Sequence, residues 1–149
     1  MSPPTLLFYC QHSLGLGHLV RSFALAEALA ERFRVMLLNG GLLPRDLPVP
    51  AGVEVESLPP LGMDVDGTLV SRDGRRTAER ALELRRERML ELRAELHADV
   101  VFVELFPFGR KKFASELVPL LEASRAAGGL NVSSLRDILV GSRRDQALR

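Results

Sequence analysis

Short apolar runs rich in β-branched residues alternate along this chain with longer segments whose apolar residues recur every three or four positions. That alternation is the pattern of βαβ units wound around a parallel sheet, so an α/β fold is expected. Strands are predicted at Thr5 to Gln11, Arg34 to Asn39, Val53 to Leu58, Asp99 to Leu105 and Leu130 to Ser133. Several lack polar alternation, as parallel strands covered on both faces do. The expected architecture is a Rossmann-like open sheet in the order 3-2-1-4-5, with helices on both faces.

Between the strands, Leu19, Phe23, Ala26, Ala30 and Phe33 mark a first helix starting near His18. Ala78, Leu82, Met89, Leu92 and Leu96 mark a second. Its remaining positions, Arg80, Arg85, Arg86, Arg88 and Arg93 among glutamates, read as a solvated face laced by pairs such as Glu83 with Arg86. A third helix is predicted from about Phe113 to Ala126, stopped by Gly128. The stretch "LPPLGMDVDGTLVSRDGRR" from Leu58, rich in proline, glycine and aspartate, is expected to be a long loop.

The first strand ends in "HSLGLGH" and feeds the first helix, so free backbone N–H groups and the positive helix end converge on one point that suits an anion. Two phosphate-binding motifs fail there. The dinucleotide fingerprint needs a third glycine where Val20 stands and an acidic residue near Asn39 and Gly40. A Walker loop needs lysine then serine or threonine, but Gly17 is followed by His18 and Leu19. What remains is one unit of Gly15, Gly17, His18 and Arg21, with the last two a helical turn apart. A neutral histidine at a helix N-terminus can take a proton from a hydroxyl or water, and arginine can grip phosphate or carboxylate. The competing reading is a plain strand-to-helix turn, with His18 as its cap and Arg21 solvated.

Composition narrows the classes. With 149 residues, 46% of them hydrophobic, the chain suits one domain. Its net charge of +1 offers no field for nucleic acid. Lys111 and Lys112 are the only lysines, so arginine carries nearly all the positive charge. Cys10 stands alone, and "MSPPTLLFYC" lacks the basic region and apolar length of a signal peptide or membrane span, so a cytoplasmic protein is expected.

"GLGHLVRSFALAEAL" resembles the opening of the N-terminal domain of GT-B glycosyltransferases, especially the family that contains the lipid-linked N-acetylglucosaminyltransferase of peptidoglycan synthesis. The same Gly15, Gly17, His18 and Arg21 spacing is similar to nucleotide-sugar hydrolases of the pseudaminic acid pathway. Together with "VELFPFGRKKF" and "NVSSLRDILVG", it resembles a bacterial group of predicted glycosyltransferases. The resemblance implies that residues 1–149 are the acceptor-side half of a two-domain enzyme, lacking the C-terminal domain that supplies most nucleotide-sugar contacts. The implied partners are a nucleotide-sugar donor and a hydroxyl acceptor, with no metal or other cofactor, no transmembrane segment, and room for peripheral membrane contact. A nucleotide-sugar hydrolase and a non-catalytic carbohydrate-binding module are the alternatives.

In an open parallel sheet, ligands bind where the strand order reverses, here between the first and fourth predicted strands. The fourth delivers Glu104, Phe106, Phe108 and Arg110 to that edge. His18 and Glu104 are therefore the expected catalytic pair, with Gly15, Gly17, Arg21, Phe106 and Arg110 on the substrate. The alternative for this loop is a Glu104 to Arg110 ion pair with both phenylalanines in the core. Finally, "DVDGTLV" from Asp64 matches the start of haloacid-dehalogenase phosphatases, but that motif must end a buried strand, and Pro59 and Pro60 preclude one. Asp64 and Asp66 are expected in a turn.

Overall fold

The computed structural model describes residues 2–12 and 16–135. A five-stranded parallel sheet forms its centre: β1 (Thr5–Cys10), β2 (Arg34–Asn39), β3 (Val53–Ser57), β6 (Val100–Glu104) and β7 (Leu130–Ser134), in the order β3-β2-β1-β6-β7. The five predicted strands and their order are present, with ends shifted by a residue. β1 is central, pairing Phe8 with Leu37 on one side and with Phe102 on the other.

Alternate residues of β1 point to opposite faces, and both faces are covered, so the whole strand is apolar or buried. Leu6, Phe8 and Cys10 pack with Leu19, Phe23 and Ala26 of α1 (Gly17–Leu29). Leu7 and Tyr9 pack on the other side with Met89 and Leu92 of α2 (Ala78–Glu95) and Leu117 and Leu120 of α3 (Ala114–Ala126). Thr77 caps α2 by accepting the Arg80 N–H at 3.1 Å, and Gly128 follows α3 at φ 82°. At the head of α1, Leu16 holds the cap position and its side chain makes no cap bond, so His18 is not the N-cap residue.

The expected long loop is not featureless. β4 (Leu61–Met63) and β5 (Leu69–Ser71) form an antiparallel hairpin within it. The Leu61 N–H donates to the Gly40 carbonyl at 2.9 Å, tying the hairpin to the end of β2. Three-residue strands are too short to announce themselves by periodicity. Asp64 builds the hairpin turn, its carboxylate accepting the N–H groups of Asp66 at 3.0 Å and Thr68 at 2.9 Å. The phosphatase-like motif is thus a turn.

The larger correction is Arg85. Expected on a solvated face, its side chain has no exposure and pairs at 2.8 Å with Glu116, which has none either. Nη1 donates to the carbonyls of Gly40 at 3.1 Å and Pro59 at 3.4 Å, and Nη2 donates to Gln11 Oε1 at 2.7 Å. The Tyr9 hydroxyl donates to Glu116 at 2.5 Å, and the guanidinium lies 5.5 Å from the centre of the Phe113 ring. Burial raises the Glu116 carboxyl above its ordinary pKa, against the opposing pull of Arg85 and Tyr9. Gly40 completes the fit, because a Cβ there would collide with Gln11 Oε1 and the Arg85 guanidinium.

Removing one member of a buried pair strands the other's charge. Arg85→Met is therefore expected to cost about 3–5 kcal/mol of unfolding free energy, and adding Glu116→Leu to restore most of it. Urea denaturation of the single and double variants measures both; a cost below about 1 kcal/mol for Arg85→Met would show that the network is not a principal support.

Candidate functional site

Glu104 is the last residue of β6, beside β1, where the sheet order reverses. It is 4% exposed, so its carboxylate needs partners. They come from α1. Arg21 Nη1 donates to Oε1 at 2.5 Å, and His18 Nδ1 lies 3.8 Å from Oε2. His18 and Arg21 sit one turn apart on the same face, as the i, i+3 spacing predicts. The expected alternative of a Glu104 to Arg110 pair is absent among the described residues, where Arg21 and His18 are the ion-pair partners of Glu104.

After Glu104 the chain turns sharply. Leu105 and Arg110 both take left-handed backbone angles, φ 68° and 58°, and the Gly109 N–H donates back to the Leu105 carbonyl at 2.8 Å. The turn sends the two phenylalanines apart. Phe106 is buried among Val103, Phe113 and Leu117 in the α2 and α3 core, whereas Phe108 is 57% exposed. The aromatic face open to a ligand in this structure is that of Phe108. Arg110 is half-buried, and its charge bears on Tyr9, Cys10 and His12.

Gly17 opens α1 in free space, since a Cβ there would meet nothing within 4 Å. Packing does not demand glycine at that point. Gly15 lies outside the described residues. Cys10 is buried, and burial pushes its thiol up to about 11, so it offers no thiolate at neutral pH.

Sequence reasoning placed the cleft between the ends of β1 and β6 and missed a second one on the other side of β1. A cavity of about 310 Å³ lies between the segment after β2, the β4–β5 hairpin and the start of α1. His12, Leu16, Leu42, Leu43, Leu61 and Arg72 line it. The signal available in the sequence was "NGGLL" after β2. Asn39 Nδ2 donates to the Gly41 carbonyl at 2.9 Å, and Gly41 passes so close to His12 that a Cβ would lie 2.6 Å from its ring. His12 is 7% exposed, and its Nε2 lies 2.8 Å from the Leu42 carbonyl. A carbonyl only accepts, so Nε2 carries the proton, and Nδ1 is left as a buried acceptor with no partner among the described residues.

Among the described residues no group of three or more His, Cys, Asp or Glu side chains could hold a metal ion, and no helix is long and apolar enough to cross a membrane.

The sequence matches no family profile and no curated protein. Its likeness is to solved structures. UGT2 of Phytolacca americana, complexed with UDP-2-fluoro-glucose and pterostilbene, superposes with a TM-score of 0.56 at 21% identity, over 91% of this chain and 31% of that one. A UDP-glucosyltransferase of Polygonum tinctorium that glucosylates indoxyl gives 0.53 at 16% identity, over 91% and 30%. The chain thus spans about a third of the length of these glycosyltransferases. The C-terminal domain of a hydrogenase from Pyrococcus furiosus gives 0.55 at 16% identity, over 91% and 93%. The fold is therefore Rossmann-like and glycosyltransferase-like, and it also occurs in a protein of different name, so function has to be argued from the site.

His12 generates a pH dependence. Burial lowers its pKa and the charge of Arg110 adds to that, outweighing the bond to the Leu42 carbonyl. A histidine depressed in the folded state binds protons more readily when unfolded, so its contribution is intact above about pH 7.5 and is lost as pH falls through about 6.5. Stability is expected to decline from about pH 7.5 to about pH 5.5, and His12→Gln to flatten that decline. Chemical denaturation across the range checks it, and parallel slopes for the two proteins would contradict it.

Proposed function

We propose that this chain is the N-terminal, acceptor-side domain of a two-domain GT-B glycosyltransferase, which moves a sugar from a nucleotide-sugar donor to a hydroxyl acceptor. The observation that carries the reading is buried Glu104, held by Arg21 and facing His18 Nδ1 at the uncapped head of α1. A bare strand-to-helix turn has no use for a buried carboxylate behind its histidine. Fold likeness to UDP-glycosyltransferases agrees with the reading without deciding it.

In this mechanism Glu104 orients the imidazole through Nδ1 and leaves Nε2 to take the proton of the acceptor hydroxyl. The freed oxygen attacks the anomeric carbon of the donor sugar. The bond from that carbon to the diphosphate breaks, and the nucleoside diphosphate leaves with the electron pair. The 3.8 Å from His18 to Glu104 is longer than a hydrogen bond, as catalytic contacts often are before substrate binds. Gly15 and Gly17 let the donor phosphate approach the helix head, where backbone N–H groups offset its charge. Arg21 acts first as the clamp on Glu104, with its remaining guanidinium edge for the substrate. Arg110 lines the same edge, and Phe108 takes the aromatic role first expected of Phe106. The nucleotide itself would be held mainly by a second domain.

Joined to such a domain, His18→Ala is expected to lower kcat at least about a hundredfold while the melting temperature stays nearly unchanged. Glu104→Gln should lower kcat by less, because it disturbs only the orientation of the base. Steady-state kinetics with a panel of nucleotide sugars, with and without an acceptor, provides the measurement. Unchanged kcat in His18→Ala would end the catalytic assignment, and turnover to free sugar with water alone would favour the hydrolase.

A further inference from the structure

We propose that the cleft between the β2–β3 segment and the β4–β5 hairpin binds an apolar acid, a compact aliphatic or aromatic body whose carboxylate pairs with Arg72. As the sugar acceptor it would be a hydroxylated apolar acid, an identification that rests on the acceptor-side reading above.

Size comes first. A volume of about 310 Å³ lies at the small end of ligand pockets, which suits one or two rings and excludes an oligosaccharide or a folded partner. The walls come next. Leu16 and Leu42 leave 46% and 56% of their surface open and meet Leu43 and Leu61 at this one cavity. Apolar surface gathered around a concavity marks a binding site, whereas scattered apolar surface does not.

Charge then selects the ligand. Among the described residues that line it, Arg72 alone carries a permanent charge. It is held in place, with Nη2 donating to the Met63 carbonyl at 2.8 Å. Gly62 gives it room, because a Cβ there would collide with the guanidinium. Yet among the described residues Arg72 has no carboxylate partner. The neighbouring Asp73 is already engaged by Arg76 at 2.8 Å, the Ser71 hydroxyl at 2.8 Å and the Arg75 N–H at 3.0 Å. An exposed cation with no carboxylate of its own, at the rim of a hollow walled partly by leucines, is complementary to an anion on an apolar body.

Hydroxynaphthoate and its methyl ester, titrated by fluorescence against the whole chain, test this directly. The acid is expected to bind roughly two- to fivefold more tightly than the ester, as one exposed charge pair supplies. Arg72→Gln should bring the acid down to the ester's affinity without moving the ester, and Arg72→Lys should recover part of the preference. Melting temperatures within a degree or so of wild type separate lost recognition from lost folding. Gly62→Ala, which displaces the guanidinium but leaves its charge, should act like Arg72→Gln. Equal affinity for acid and ester in the wild type, a preference that survives Arg72→Gln, or no binding of either probe overturns the proposal. The titration needs neither donor nor His18, so acid binding by this chain without sugar transfer once it is joined to a nucleotide-binding domain would overturn the catalytic reading alone. Transfer to neutral acceptors with no acid binding would overturn this proposal alone.

Discussion

The buried ion pair of Arg85 and Glu116 is the constraint on which the arrangement of this molecule depends. Two charges with no exposure are tolerated only if most of their hydrogen bonds are met, and here those bonds join five parts of the chain, with Arg85 Nε and Glu116 Oε2 left over among the described residues. Arg85 stands on α2 and Glu116 on α3. Gln11 and Tyr9 belong to the end of β1, and the carbonyls of Gly40 and Pro59 belong to the segments that follow β2 and β3. A general hydrophobic core would hold those elements together without setting their register. Directional bonds from one planar guanidinium set the register as well.

That network lies directly beneath the functional edge. Gln11 extends from it, its Nε2 donating to the carbonyls of His12 at 3.0 Å and Leu61 at 2.9 Å, so the histidine and the hairpin are both anchored to the ion pair. Gly40 sits against Arg85, and Gly41 against His12. The glycine pair is the hinge between a stability device below and a binding surface above. Its need for glycine is steric, since side chains would enter space already filled by the guanidinium and the imidazole.

Above the network the edge divides into two neighbouring regions on either side of β1. On the β6 side Glu104, Arg21 and His18 form a charged cluster with chemical capacity. On the β2 side a cavity with mixed apolar and polar walls offers volume and, among the described residues, one cation. The β1–α1 junction belongs to both, with His12 and Leu16 lining the cavity and His18 facing Glu104.

Local patterns were enough for the sheet, its order and the three long helices, because strand runs and helical stripes are properties of neighbouring residues. They were enough for the grouping of His18 with Arg21, which depends only on helical pitch, and for the turn character of Asp64, which its preceding prolines imply. They misjudged Arg85, because a helix face looks solvated until a second helix brings Glu116 to it across 31 positions of chain. They left Phe106 and Phe108 undivided, since the left-handed turn at Leu105 sends one inward and one outward. They did not show the cavity at all. Its walls come from three separate segments of the chain, and beyond the glycine pair after β2 the emptiness between them leaves no mark on any one of them. Periodicity and turn chemistry are written along the chain, whereas burial of a charge and the shape of a void exist only once the chain has closed on itself.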